Sequence, residues 1–182
     1  MKARRPPLAL LGFVLAVLLW SGMAPKDRFT WWLEVAPVLI ALPVMIFTAR
    51  RFPLTPLLYV AIAAHMTILM VGGHYTYADM PLFNWLRDEF GLARNHYDRV
   101  GHLAQGFVPA LVAREILLRK TPLRPGAWLF VLVTCVGLAV SAAYELIEWG
   151  GGRGQRRRSG RISRHPGRSL GYAEGHGPGA PG

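Results

Sequence analysis

Long apolar runs, separated by short basic or mixed segments, occupy most of the first 150 positions of the chain. A membrane-spanning helix needs about 20 mostly apolar residues to cross a hydrocarbon core about 30 Å thick. Because backbone N–H and C=O groups must be paired within lipid, each such run is expected to be a helix. The pattern therefore predicts an all-α fold, a polytopic transmembrane helix bundle of about five spans. The predicted spans are residues 8–24, 29–49, 54–73, 103–118 and 127–147.

The first and fourth runs are the least certain spans. The first follows a basic amino terminus and ends in small residues, which also suits a cleaved signal peptide. Pro25 would hinder cleavage and further apolar runs follow, so an uncleaved helix is favoured. The fourth run is interrupted by Gln105, Pro109, Arg114 and Glu115.

Basic residues predict the orientation of the bundle, because cytoplasmic connections carry an excess of Lys and Arg. If all five runs span, the basic clusters fall on one side, which is then the cytoplasmic side with the amino terminus. The connection formed by residues 74–102, where acids and bases are mixed, would face outward. The basic clusters are Lys2, Arg4 and Arg5; Arg50 and Arg51; and Arg119, Lys120 and Arg124.

Composition supports a membrane protein. Hydrophobic residues make up 52% of the chain and charged residues 17%, against about 25% charged in soluble domains. The net charge of +11, taken alone, would suggest a protein that binds nucleic acid. However, seven arginines and one glutamate in residues 151–182 account for +6 of it. The lipid bilayer is therefore the expected partner and nucleic acid is not. The single cysteine, Cys135, excludes an intrachain disulfide framework.

The last 32 residues differ from the rest of the chain. Residues 151–182 contain ten glycines and three prolines with few large apolar side chains, a composition that favours disorder. We therefore expect a transmembrane domain at 1–150 and a disordered Gly/Arg-rich tail at 151–182. A basic tail suits binding to anionic lipid on the cytoplasmic side. The predicted topology places it outside instead, which conflicts with the charge rule.

Ionisable residues cluster near the ends of the predicted spans that face outward, and such residues are candidates for function. Asp98 and His102 are spaced i and i+4, and Glu145 and Glu148 i and i+3, so each pair shares one helix face. Imidazole with carboxylate suits Zn²⁺ or Mn²⁺, or acid–base chemistry. The predicted metal ligands are His74, His96, Asp98, His102, Glu145 and Glu148.

Other interpretations of these residues remain open. The same groups would also hold helices together by polar contacts, or form a pathway for protons or solutes. His65 is the one candidate near the middle of the membrane and is expected to pack between helices. Glu34, Arg114 and Glu115 lie near predicted helix ends, from which they can reach the interface. No HExxH pattern, Gly-rich phosphate loop or nucleophile elbow is present, so enzymatic activity and any cofactor beyond a divalent metal stay undecided.

Three segments carry a resemblance to a known family. Residues 94–107 read RNHYDRVGHLAQGF, residues 73–78 read GHYTYA and residues 141–149 read SAAYELIEW. Over residues 1–149 the chain resembles the YjdF family of multi-pass proteins of the bacterial inner membrane. That resemblance implies an inner-membrane location without an assigned activity. More distantly, the chain is similar to VanZ-like proteins, which are linked to glycopeptide-antibiotic resistance.

The resemblance ends after Trp149. Family members continue with a motif close to FLGTQGDxWDTQxDM and a further apolar helix. The genetic code allows codons for residues 161–177 to be chosen so that the same nucleotides, read one base later, encode FLGTQGDPWDTQKDM. We therefore expect the tail to be out of frame, through sequencing error or mutation, with a sixth helix lost. Codons in the gene that are incompatible with that frame would rule this out.

These observations leave three functions in competition. The first is a membrane protein of unassigned activity with an outer polar cluster. Its specific form is a metal-dependent enzyme that acts on a lipid or cell-envelope molecule. The second is a transporter, which would need polar residues along the whole depth of the bundle. The third is an accessory protein of the envelope.

Overall fold

The computed structural model describes the backbone of residues 8–162 and the side chains of residues 8–147, 149 and 150. Within these ranges all regular structure is helical, which confirms the all-α prediction. A short 3₁₀ turn, Tyr77–Asp79, precedes the fourth helix. The helices are α1 (Leu8–Gly22), α2 (Arg28–Thr48), α3 (Pro56–Tyr75), α4 (Pro81–Glu89), α5 (Tyr97–Lys120) and α6 (Ala127–Ile162).

Three stretches are long and apolar enough to cross a membrane: Arg28–Thr48, Pro56–Tyr75 and Ala127–Ile147. Helix α1 is apolar but has 15 residues. Helix α5 has 24 residues, about 36 Å at 1.5 Å per residue, and its charged side chains are grouped at its two ends. The chain is therefore a polytopic helical membrane protein, as its apolar runs predict.

Local sequence signals explain where the helices begin. The Asp27 side chain accepts hydrogen bonds from the backbone N–H groups of Phe29 (3.3 Å) and Thr30 (3.1 Å), which caps α2. Helix α3 begins with Pro56, whose missing N–H costs nothing at a first helical position. The Asn95 side chain accepts a 2.9 Å hydrogen bond from the N–H of Tyr97, and α5 begins there.

Helix α5 therefore begins six residues before the predicted apolar run, which starts at residue 103. Hydrophobicity cannot detect this first part because it is polar. The preceding connection is also more ordered than its mixed composition suggests, since it contains the 3₁₀ turn and α4. Leu82 and Trp85 on α4 are exposed, as on helices that lie at a membrane interface.

Helix α3 is the centre of the bundle and contacts α1, α2 and α5. Its buried face includes Met70, which packs in one apolar core with Val35 and Val38 of α2. Helix α6 approaches α5 through small residues, because a Cβ on Gly137 would lie 2.9 Å from the carbonyl oxygen of Gly106. Close approach through small residues is a common way for membrane helices to pack.

Hydrogen bonds between connections define the two ends of the bundle. At one end, which we call the site end because the predicted metal ligands lie near it, the N–H of Lys26 donates to the carbonyl of His74 (2.9 Å). At the opposite, basic end, Glu115 accepts hydrogen bonds from the backbone N–H (3.0 Å) and hydroxyl (2.8 Å) of Thr55. Arg119 there donates to Glu115 (2.7 Å) and to the carbonyl of Pro53 (2.6 Å). The connections after α2 and after α5 thus lie at one end, as the orientation argument requires.

The chain divides into two units, Met1–Glu148 and Trp149–Gly182, and the packing described here belongs to the first. In the second unit the backbone is helical through Ile162, although the composition predicts disorder from residue 151. Arginine, which occurs five times in residues 149–162, has a favourable helix propensity. The rest of the predicted tail, and most of the segment in which the reading frame is in question, lies outside the described residues.

Candidate functional site

Glu34 is the buried carboxylate at the site end. It lies on α2 and is 5% exposed. The hydroxyl of Tyr144 on α6 donates a 2.6 Å hydrogen bond to its Oε2 atom. Asp98 and His102 on α5 lie close enough to Glu34 to interact with it electrostatically. A single acidic residue therefore connects three helices.

Tyr77 reaches the same place from the 3₁₀ turn. Its ring lies between α3 and α5, where a Cβ on Gly72 would be 2.5 Å from the ring and a Cβ on Gly101 would be 2.7 Å from it. Burial raises the pKa of the Tyr77 hydroxyl, and the neighbouring Glu34, with which it hydrogen-bonds, raises that pKa further. The phenol therefore remains neutral and acts as a hydrogen-bond donor.

His102 lies between two carboxylates. Its Nε2 atom is 3.2 Å from Oδ1 of Asp98, one turn earlier on α5, and its Nδ1 atom is 3.4 Å from Oε1 of Glu145 on α6. The side chains of Asp98 and Glu145 are 50% and 61% exposed, so the protein itself does not enclose them. We call Glu34, Asp98, His102, Tyr144 and Glu145 the acidic cluster.

The structure brings together three of the six predicted metal ligands, namely Asp98, His102 and Glu145. His74 instead contacts α1, with its Nδ1 atom 3.0 Å from the carbonyl oxygen of Ser21 and its ring 4.5 Å from that of Trp20.

The other predicted ligands do not join this group. The buried Nδ1 atom of His96 has no hydrogen-bond partner within the described part of the chain. The side chain of Glu148 lies outside the described residues. Among the side chains described, no three His, Cys, Asp or Glu residues are placed to hold one metal ion. A metal site therefore remains a prediction.

Two polar contacts fix the segment that supplies Tyr77. Lys26 forms a 2.7 Å ion pair with Asp79, and the hydroxyl of Thr76 donates to the same carboxylate (3.1 Å). The hydrogen bond from Lys26 is the main reason that the pKa of Asp79 lies below its ordinary value. These contacts link the α1–α2 connection to the 3₁₀ turn at the site end.

A cavity of about 680 Å³ lies beside the acidic cluster, between α2, α3, α5 and α6. Its walls are largely apolar. Tyr144 lines it at the site end and Lys120 at the basic end. His65 and Gln105 line it between these ends, and the buried Nε2 atom of His65 has no hydrogen-bond partner among the described residues.

These features define a class, the polytopic helical membrane proteins with a polar cluster at one end of the bundle. The family described as "Predicted membrane protein (DUF2238)" matches residues 6–157, and the chain belongs to that family. It is similar to "Inner membrane protein YjdF" of Escherichia coli (strain K12), with 53% identity over 133 residues. No solved structure matches the chain.

That match covers 73% of this chain and 64% of the relative, so the chain spans less than two thirds of the relative's length. The family and the relative confirm the resemblance to YjdF proteins and place the chain in the bacterial inner membrane as a multi-pass protein. The similarity to VanZ-like proteins stays a prediction.

Sequence reasoning missed the central role of Glu34, Tyr77 and Tyr144. One signal was available, since Glu34 is the one acidic residue of the apolar run 29–49 and such residues are functional candidates. Its partner Tyr144 lies 110 positions away. No spacing rule connects residues so far apart.

Proposed function

We propose that this inner-membrane protein binds a cation at the acidic cluster. The observation that carries the proposal is the excess of negative charge around His102, because two partly exposed carboxylates, Asp98 and Glu145, flank this one imidazole. Even a protonated His102 leaves the carboxylates in the majority. A partly exposed group of like charges next to a low-dielectric bundle concentrates ions of the opposite sign.

Two kinds of cation suit these groups. One is a divalent metal, since imidazole and carboxylate are ligands of Zn²⁺ and Mn²⁺. A metal would replace one of the two contacts that His102 makes, because Asp98 and Glu145 lie at opposite nitrogens of its ring. The other is an organic ammonium group, which needs only hydrogen-bond acceptors and negative charge and therefore no change in this arrangement.

A metal-dependent enzyme that acts on a lipid or envelope molecule is the second candidate. It is favoured by the position of His102 between two carboxylates, because imidazole is the side chain that most often transfers protons in enzymes. A transporter is less favoured, because the cavity that follows the bundle is apolar over most of its wall.

We further propose that the acidic cluster faces the periplasmic side. The basic end contains Arg119 and Lys120, in the last turn of α5, and the connections that carry Arg50, Arg51 and Arg124. The positive-inside rule favours the cytoplasm for such connections. The site end is opposite, so the amino terminus is proposed to be cytoplasmic and the cluster outward.

Cation binding is tested by thermal unfolding of the purified chain in a neutral detergent. A ligand that binds only the folded state at 100 times its Kd stabilises by about 2.7 kcal/mol. We expect Mn²⁺, Zn²⁺ or butylammonium to raise the Tm of the parent. The rise should disappear in the double variant Asp98→Asn, Glu145→Gln and persist in the control Glu89→Gln, at an exposed acid of α4. A parent that no cation stabilises, or a double variant that responds like the parent, would contradict the proposal.

A further inference from the structure

We infer that the cavity between α2, α3, α5 and α6 holds the hydrocarbon chain of an amphiphile whose ammonium head group lies at the acidic cluster. This inference rests on the proposed function and specifies its ligand as a long-chain ammonium amphiphile. It excludes a metal ion or a small soluble amine as the main occupant.

Tyr144 is the residue that the acidic cluster and the cavity share. The hydroxyl of this residue donates to Glu34 in the acidic cluster, while the residue itself also lines the cavity. A molecule that occupies both places therefore needs a polar group at one end and an apolar body beyond it. That distribution is the definition of an amphiphile.

The cavity is long enough to hold a long hydrocarbon chain. Along α5 it extends from Gln105 to Lys120, a distance of about 22 Å at 1.5 Å per residue. Half of a hydrocarbon core about 30 Å thick is about 15 Å, so the cavity is longer than one leaflet is deep. Its volume of about 680 Å³ also falls within the range of about 300–1,000 Å³ typical of ligand sites.

The hydrocarbon chain of the ligand can reach the cavity from the bilayer. Val44 on α2, Ile116 on α5 and Val136 on α6 line the cavity and remain substantially exposed. An apolar chain could therefore enter sideways from lipid without passing through water.

Charge selects the head group and its position. The partly exposed carboxylates of the acidic cluster, Asp98 and Glu145, favour an ammonium group and repel a carboxylate or phosphate. The cationic residue that lines the cavity, Lys120, is at the opposite end. An anionic amphiphile would therefore bind in the reverse direction, with its head at the basic end, and this is the alternative that the experiment must exclude.

The experiment compares octadecylamine, stearate and butylammonium by calorimetric titration of the purified chain in a neutral detergent. Val136→Trp fills the cavity from α6, and Val131→Trp is its matched control on an exposed part of the same helix outside the cavity. We expect Val136→Trp to weaken octadecylamine binding about tenfold or more, equivalent to at least about 1.4 kcal/mol. Val131→Trp should leave it unchanged, and both should bind butylammonium like the parent. Stearate should bind much more weakly than octadecylamine.

The outcomes separate this inference from the proposed function. If Val136→Trp binds octadecylamine like the parent while Asp98→Asn, Glu145→Gln does not, the cavity assignment is wrong and the cation site stands. If the double variant binds both amines like the parent, the proposed function fails and this inference fails with it. Equal binding of stearate and octadecylamine would overturn the assignment of the head group. Ala113→Phe, which fills the cavity from α5, replaces Val136→Trp if that variant does not fold.

Discussion

Glu34 shows how a membrane helix accommodates a carboxylate. An ionised side chain at the centre of a bilayer costs about 2.5–3.5 kcal/mol on insertion scales, and hydrogen-bond donors offset that cost. Glu34 lies near the amino end of α2 and hydrogen-bonds with the hydroxyls of Tyr144 and Tyr77. The position of the acidic cluster therefore depends on two tyrosine hydroxyls.

Replacement of Tyr144 by Phe tests this dependence. Tyr144→Phe removes a hydrogen-bond donor from the buried carboxyl group of Glu34, which should cost about 1–3 kcal/mol, as for a buried polar group left without its partner. Thermal unfolding in detergent measures the loss. Tyr75→Phe is the matched control, because the Tyr75 hydroxyl makes no hydrogen bond among the described residues. Equal stability of the two variants would show that the Tyr144–Glu34 bond contributes little.

The two histidines of α3 should respond oppositely to the same substitution. The Nε2 atom of His65 is buried without a described partner, so His65→Leu removes an unsatisfied polar group and should leave the Tm unchanged or higher. His74→Leu removes the hydrogen bond to Ser21 and should cost about 1 kcal/mol. Thermal unfolding of both variants in one detergent is the measurement. A lower Tm for His65→Leu would indicate that a ligand or an interaction outside the described residues satisfies this imidazole.

At the scale of elements, Tyr77 acts as a spacer between α3 and α5. Alanine normally stabilises a helix relative to glycine by about 0.5–1 kcal/mol, so Gly12→Ala, which meets no atom within 4 Å, should be neutral or stabilising. Gly72→Ala and Gly101→Ala place a methyl group against the Tyr77 ring and should destabilise by about 1–3 kcal/mol. Chemical denaturation in mixed micelles compares the three variants. A benign Gly101→Ala would show that Tyr77 does not lie between these helices.

The link between Lys26 and Asp79 should depend on pH. The folded state lowers the pKa of Asp79 from its ordinary value of 3.8, chiefly through the hydrogen bond from Lys26. The stabilisation is therefore fully present above the ordinary pKa and is lost as the pH falls through the lower, folded value. Hydrogen exchange in residues 74–80 should accelerate over that range in the parent. Asp79→Asn should remove this pH dependence, and a parent without it would contradict the assignment.

Helices and their order follow from the apolar runs because burial in lipid requires both length and internal hydrogen bonding. The contact between Asp98 and His102 also follows from sequence, since i and i+4 positions share a helix face. The addition of Glu145 required the assumption that both outward helix ends meet. Tyr77 was not predictable, because its position depends on close packing against two glycines that no local pattern reveals.

At the scale of the whole molecule, charge is distributed unequally between the two ends of the bundle. The basic end combines the Glu115–Arg119 pair with the connections after α2 and α5, and the Arg119 guanidinium lies 3.9 Å from the centre of the Phe52 ring. The site end carries the acidic cluster. Such polarity orients a helical bundle during insertion, because Lys and Arg near the ends of membrane segments favour the cytoplasm.

Reporter fusions test the orientation that this polarity predicts. Fusions at Arg51 and Arg124, both at the basic end, should report the cytoplasm, and a fusion at Asp88 on α4 should report the periplasm. The prediction rests on the positions of Lys and Arg side chains. The control therefore replaces Arg50, Arg51, Arg119, Lys120 and Arg124 together by Gln, and it should reduce the difference between the reporters. A cytoplasmic signal at Asp88 would reverse the bundle. The acidic cluster would then face the cytoplasm, and its ligand would have to be presented by the inner leaflet.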